Sequence, residues 1–137
     1  MNVQECLKEG ALKKIRPSLE MAARSLETAE AYIGKSRSNL EMGNFDISMV
    51  CSYTSMFHTA RSLLFKDGFK ERSHICLIQY IREKYPQLKG LANQMSHYRT
   101  ARHTVLYGLD VIETKSDAES ALETAQEFLK EVKPLVK

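Results

Sequence analysis

The run from Phe45 to Lys66 constrains this chain more than any other. Phe45, Met49, Tyr53, Met56, Phe57, Ala60, Leu63 and Leu64 recur there at steps of three and four. An α-helix places such positions on one face, whereas a strand would need strict alternation. The stripe is broad, as expected of a helix at the centre of a bundle rather than on its surface. Gly68 follows, suited to the left-handed residue that closes a helix. A helix this apolar needs neighbours, and the rest of the chain must supply them.

The flanking segments read as helices too. A weak one covers about residues 2–14. Pro17 suits the first turn of a long second helix, because a proline lacks only an N–H that would be unpaired there. That helix runs to Met42 and stops at Gly43-Asn44, with Leu19, Ala22, Ala23, Leu26, Ala29 and Ile33 as its apolar positions. A shorter helix spans Ser73 to Lys84 around Ile75, Leu77, Ile78 and Ile81. Pro86 opens another, to about Leu109, with Leu88, Leu91, Met95, Tyr98, Val105, Leu106 and Leu109 on one stripe. Ser116-Asp117-Ala118-Glu119 has the capping-box pattern and launches the last helix, with Ala118, Ala121, Leu122, Ala125, Leu129 and Val132 on one face. Strand-like alternation is absent, so no sheet is expected. Short connections make neighbours antiparallel. The expected fold is all-α: an up-down bundle of four main helices plus a short extra helix, one domain over residues 1–137.

Composition narrows the function classes. The chain has 137 residues, enough to bury a core without staples. Its 43% hydrophobic and 27% charged content excludes a disordered chain. A net charge of +3 is too weak to argue for duplex DNA. No apolar run approaches the ~20 residues of a membrane span, and the opening residues lack a leader's apolar core. Cys6, Cys51 and Cys76 are far apart and form neither a CxxC nor a zinc spacing, so reduced thiols of a cytoplasmic protein are expected. His58, His74, His97 and His103 make no metal motif, and Gly68, Gly90 and Gly108 are isolated. Neither a metal nor a cofactor is expected. Lys13, Lys14 and Arg16, and separately Lys66, Lys70 and Arg72, read as solvated faces.

The segment from His97 to Gly108 is the most informative for chemistry. At 100° per residue Arg102 falls in the middle of its own helix's apolar stripe. A guanidinium there keeps its charge, and buried alone it would cost several kcal/mol. It must meet a carboxylate, backbone carbonyls, a groove or a partner. Arg99, His103 and Tyr107 step along the edge of the same face, one turn apart. The alternatives are a structural arginine paired with an acid and a phosphate-binding or interface patch. Arg61 and His58, on the preceding long helix, are candidates for the same cleft.

Three stretches carry a family resemblance: CSYTSMFHTARSLLFKDG (residues 51–68), ERSHIC (71–76) and YRTARHTVLYG (98–108). Together they resemble the HEPN superfamily of prokaryotes, most nearly its small stand-alone branch, over about Pro17 to Leu135. The resemblance implies a bundle of four main helices, usually a homodimer. It also implies relatives that are RNA-cleaving toxins paired with a minimal nucleotidyltransferase. Those nucleases place an Arg, four to six residues and a His on a late helix. Here Arg99 to His103 leaves three residues between, and the position correctly spaced from Arg102 is Tyr107. A phenol is a poor base at neutral pH. The expectation is a dimeric module binding a nucleotidyltransferase partner, or a nucleotide or RNA phosphate, through Arg102, Tyr107, Arg61 and His58. The alternative is a metal-independent endoribonuclease of a toxin–antitoxin pair, with Arg99 and His103 as its catalytic pair and weak or absent activity.

Overall fold

The computed structural model describes residues 1–108 and 113–136. Four long helices and one shorter one form the expected bundle: α2 (Leu19–Glu41), α3 (Phe45–Asp67), α4 (His74–Lys84, the short one), α5 (Lys89–Tyr107) and α6 (Lys115–Val132). A six-residue helix, α1 (Val3–Lys8), precedes them. The stripe position Leu109 lies outside the described residues.

α3 is the spine. Tyr53, Met56, Ala60, Leu63 and Leu64 meet Leu77, Ile78 and Ile81 of α4, Ala92 and Met95 of α5, and Leu122, Ala125, Phe128, Leu129 and Val132 of α6. Its contact with α2 has a different chemistry. Ser48, Ser52, Ser55, Thr59 and Ser62 are buried at alternating steps of four and three, a second stripe beside the apolar one. Opposite them lie Ala22, Ser25, Ala29 and Ser36. Small side chains let two backbones approach, and each buried hydroxyl then needs an acceptor. Ser36 Oγ lies 2.6 Å from Ser52 Oγ. Ser48 donates to Ser36 O at 2.9 Å, and Ser55 donates to Ala29 O at 2.8 Å. The α2 seam therefore runs through serines rather than through Leu19 and Ala23, which are exposed.

Three expectations are corrected. The helix over 2–14 ends at Lys8, and Gly10 at φ +77° turns the chain into a strand, β1 (Leu12–Lys14). β1 pairs antiparallel with β2 (Phe69–Glu71), Leu12 facing Glu71 and Lys13 facing Lys70. Strands of three residues are too short to show alternation, and this pair exists because tertiary packing brings the strands together. The last helix is capped two residues earlier than its pattern implied. Thr114 accepts from the Asp117 N–H at 3.1 Å, while the Asp117 carboxylate accepts from the Thr114 N–H at 3.0 Å. Finally, Cys6 and Cys76 are not free thiols but a disulfide, with Cα atoms 5.9 Å apart. Their separation of 70 residues conceals a contact that exists only once α1 packs on α4. Cys51 is the free cysteine.

Gly68 is the joint of this region. It closes α3 at φ +90°, and a Cβ there would sit 2.9 Å from the Ile15 carbonyl oxygen and from Pro17 Cγ. The glycine thus lets β2 and the segment before α2 converge beside the end of α3.

Candidate functional site

α3, the first turn of α4 and the C-terminal half of α5 border a cavity of about 220 Å³. Tyr53, Thr54, Phe57 and His58 line it from α3, His74 from α4 and Arg102 from α5. The α3 residues fall at spacings of one, three and four, so one helical face supplies four walls. His74 follows directly on Ser73, whose side chain caps α4 by accepting from the Cys76 N–H at 3.3 Å. The cap holds His74 at the cavity's edge.

Tyr53 is the best-buried wall, 1% exposed, and its hydroxyl lies 2.7 Å from His74 Nδ1. Burial pushes the phenol up to about 12, against the pull of Arg102 and Arg99. The neutral phenol can donate to Nδ1 or accept from it, so the direction of this bond follows the imidazole tautomer. Burial, then Arg102, Arg99 and Arg61, hold His74 below its ordinary value. Phe57 stacks on the imidazole with centroids 4.4 Å apart. By spacing Phe57 is a core residue; in place it is a half-buried wall of the cavity. His58 meets Phe57 edge-on and stacks on Tyr32 at 5.9 Å. Burial and then Arg61 lower its pKa.

The arginines divide into two kinds. Arg61 Nε lies 3.0 Å from Glu71 of β2, between the rings of Phe57 and Phe65. The pair is oblique: Nε has no acceptor in line with its N–H, and Glu71 Oε2 is also without a donor. It is an ion pair by proximity rather than a hydrogen-bonded fork. Arg102 and Arg99 have no carboxylate within ion-pairing distance among the described residues. The Arg102 guanidinium lies 5.7 Å from the Tyr53 ring centroid, half-buried at the cavity. Arg99 has its Nε buried without an acceptor and lies close enough to perturb both Tyr53 and His74.

Of the six residues singled out by sequence, Arg102 and His58 line the cavity, and Arg99 and Arg61 act on it from beside it. His103 and Tyr107 do not reach it. Both are exposed, their rings 4.9 Å apart on the outer side of α5. Sequence reasoning did not single out Tyr53 and His74 for this site, although both stand in the family-like stretches. The signal was available: Tyr53 stands five residues before His58 and eight before Arg61 within the stretch 51–68, and His74 follows an N-capping serine. The cavity has aromatic and imidazole walls, the acid-free Arg102 guanidinium on it and Arg99 beside it, a lining whose chemistry suits an anion attached to a flat group.

A family model described as HEPN domain matches residues 22–135. No curated protein matches the chain.

Proposed function

The chain belongs to the HEPN domain family, and from that membership we propose that it is a single HEPN-type module, acting as a homodimer, that binds the phosphate of a nucleotide or RNA in the Arg102 cavity. The observation that carries the reading is that Arg102, on the apolar face of α5, meets a cavity shared with His74 and not a carboxylate. Arg102 supplies charge-assisted donors with Arg99 beside it, and the aromatic walls offer apolar contact to a base. A minimal nucleotidyltransferase is the protein partner proposed on the family resemblance.

The alternative is a metal-independent endoribonuclease of a toxin–antitoxin pair. Cleavage needs an imidazole lone pair aimed at the 2′-hydroxyl and a cation on the phosphate. His74 has its Nδ1 held by the Tyr53 hydroxyl in either tautomer. His103 has a free ring but stands on the exposed side of α5, while the Arg99 side chain is drawn toward the cavity. Both placements favour binding over cleavage.

Calorimetric titration with a 5′-mononucleotide tests the binding reading. Charged hydrogen bonds contribute about 1.5–3 kcal/mol each, so Arg102→Ala should weaken binding by at least about tenfold. Undiminished affinity would sink it. Metal-free RNA cleavage that is lost in Arg99→Ala and in His103→Ala would establish the nuclease instead, and sedimentation tests the dimer.

A further inference from the structure

The β1–β2 ribbon joins two basic clusters that are more than fifty residues apart in the sequence. Lys13 and Lys14 come from β1, Lys70 from β2, and Arg16 and Arg72 from the residues flanking the strands. All five are exposed, and among the described residues none has a carboxylate within ion-pairing distance. Lys13 faces Lys70 directly across the ribbon. Like charges in that position repel, so the pairing works against the ribbon's own stability unless an anion lies between them. The inward face is different: Leu12 is 1% and Glu71 9% exposed, and Glu71 reaches in to Arg61. Alternation then puts Lys13, Lys70 and Arg72 together on the outward face.

The geometry points to this ribbon as a docking track for the phosphodiester backbone of a single-stranded polynucleotide, separate from the Arg102 cavity. Lys70 and Arg72, two residues apart on extended chain, stand about 6.6 Å apart along the strand, the scale on which successive phosphates recur. Arg72 lies two residues before His74, so the track ends at the cavity wall. A strand lying along the ribbon would deliver its terminal nucleotide to Arg102; in that delivery alone the track rests on the function proposed above. Ala11 and Ile15, beside Lys13 on the same face, are half-buried, so the ribbon itself presents charge without a protruding apolar anchor, and the exposed large apolar side chains Leu19 and Ile75 stand on the neighbouring helices.

The test is fluorescence anisotropy of a short labelled single-stranded RNA with the full chain, across a range of salt concentration. Each phosphate contact contributes about 0.7 to the slope of log affinity against log salt, so Lys13→Gln/Lys70→Gln/Arg72→Gln should flatten that slope by about 2. The same triple variant should melt at or slightly above the parent's temperature, because the Lys13–Lys70 repulsion is removed, and bind the 5′-mononucleotide as the parent does. An unchanged slope with a folded variant overturns the track. So does binding of phosphatidylglycerol vesicles in place of RNA, or capture of an acidic polypeptide such as polyglutamate with equal affinity. If Arg102→Ala leaves mononucleotide binding intact while the triple variant loses RNA, the cavity reading fails and the track stands. The converse result retains the cavity and removes the track.

Discussion

Tyr53 and His74 illustrate how a residue can be legible in identity and hidden in role. The spacing of α3 marks Tyr53 as core, and it is core; nothing in the spacing says that its hydroxyl ends on an imidazole 21 residues later. Arg102 was legible because a permanent charge on an apolar face demands an explanation from its own helix alone. The outward turn of His103 and Tyr107 was not, since helical spacing places them near a face without fixing how far the bundle covers it. The Tyr53–His74 bond makes one prediction. Tyr53→Phe leaves a half-buried Nδ1 without its hydrogen-bond partner, and should lower stability by about 1 kcal/mol in denaturant titration. It should also release the imidazole from the phenol, so any RNA cleavage gained by this variant would show that the bond suppresses base chemistry. A second prediction concerns pH. His74 and His58 both have folded values below 6.5. The unfolded chain therefore binds more protons in mild acid, and stability rises with pH there. It is complete above the ordinary imidazole value and falls as the pH drops through 6.5 toward the folded values. The unfolding midpoint should decline over that window, and His58→Gln/His74→Gln should flatten the decline. A saturating anion in the cavity should flatten it too, by favouring the charged imidazoles.

At the scale of elements, the four long helices were legible because each carries a stripe at helical steps and ends at a glycine, a proline or a cap. The partner of each face was not. Read as apolar content alone, α3 has one stripe; the structure gives it two, and the serine stripe faces α2. Hydroxyl residues at steps of four and three are easily passed over as polar surface, yet Ser36, Ser48, Ser52 and Ser55 are buried and hydrogen-bonded. The seam depends on their size. Ser55→Leu should separate α2 from α3 and destabilise by about 1–3 kcal/mol, whereas the same change at exposed Ser38 should have little effect. Equal effects at both sites would mean that the seam is loosely packed. The ribbon was illegible for a related reason: its strands have no pattern of their own and depend on Gly68. In Gly68→Ala the left-handed conformation alone costs about 1–2 kcal/mol, before the contact with the Ile15 carbonyl is added. A smaller loss in denaturant titration would show that the joint relaxes.

For the whole molecule, the question is what the first fifteen residues add to the bundle. The family match begins at residue 22, so α1 and β1 precede it. They are held by the ribbon, by the Val3 N–H donating to Glu83 at 2.9 Å, and by the Cys6–Cys76 disulfide. The half-cystine Cys76 lies two residues after His74 on α4, so the bond ties the N-terminal segment to the helix that carries a cavity wall. A crosslink closing a loop of 70 residues stabilises by about 4 kcal/mol, chiefly by restricting the unfolded chain. Reduction should therefore lower the melting temperature by on the order of 10 °C while the far-ultraviolet circular dichroism stays helical, because α2 through α6 keep their own core. Cys6→Ser should reproduce the reduced protein and become insensitive to reductant. If the oxidised and reduced chains melt together, the bond contributes nothing to the fold. If reduction abolishes the helical signal, the bundle depends on its N-terminal segment far more than its packing implies. The mononucleotide affinity of reduced protein then separates two roles. A change would mean that the disulfide positions His74 through α4; constancy would confine it to stability.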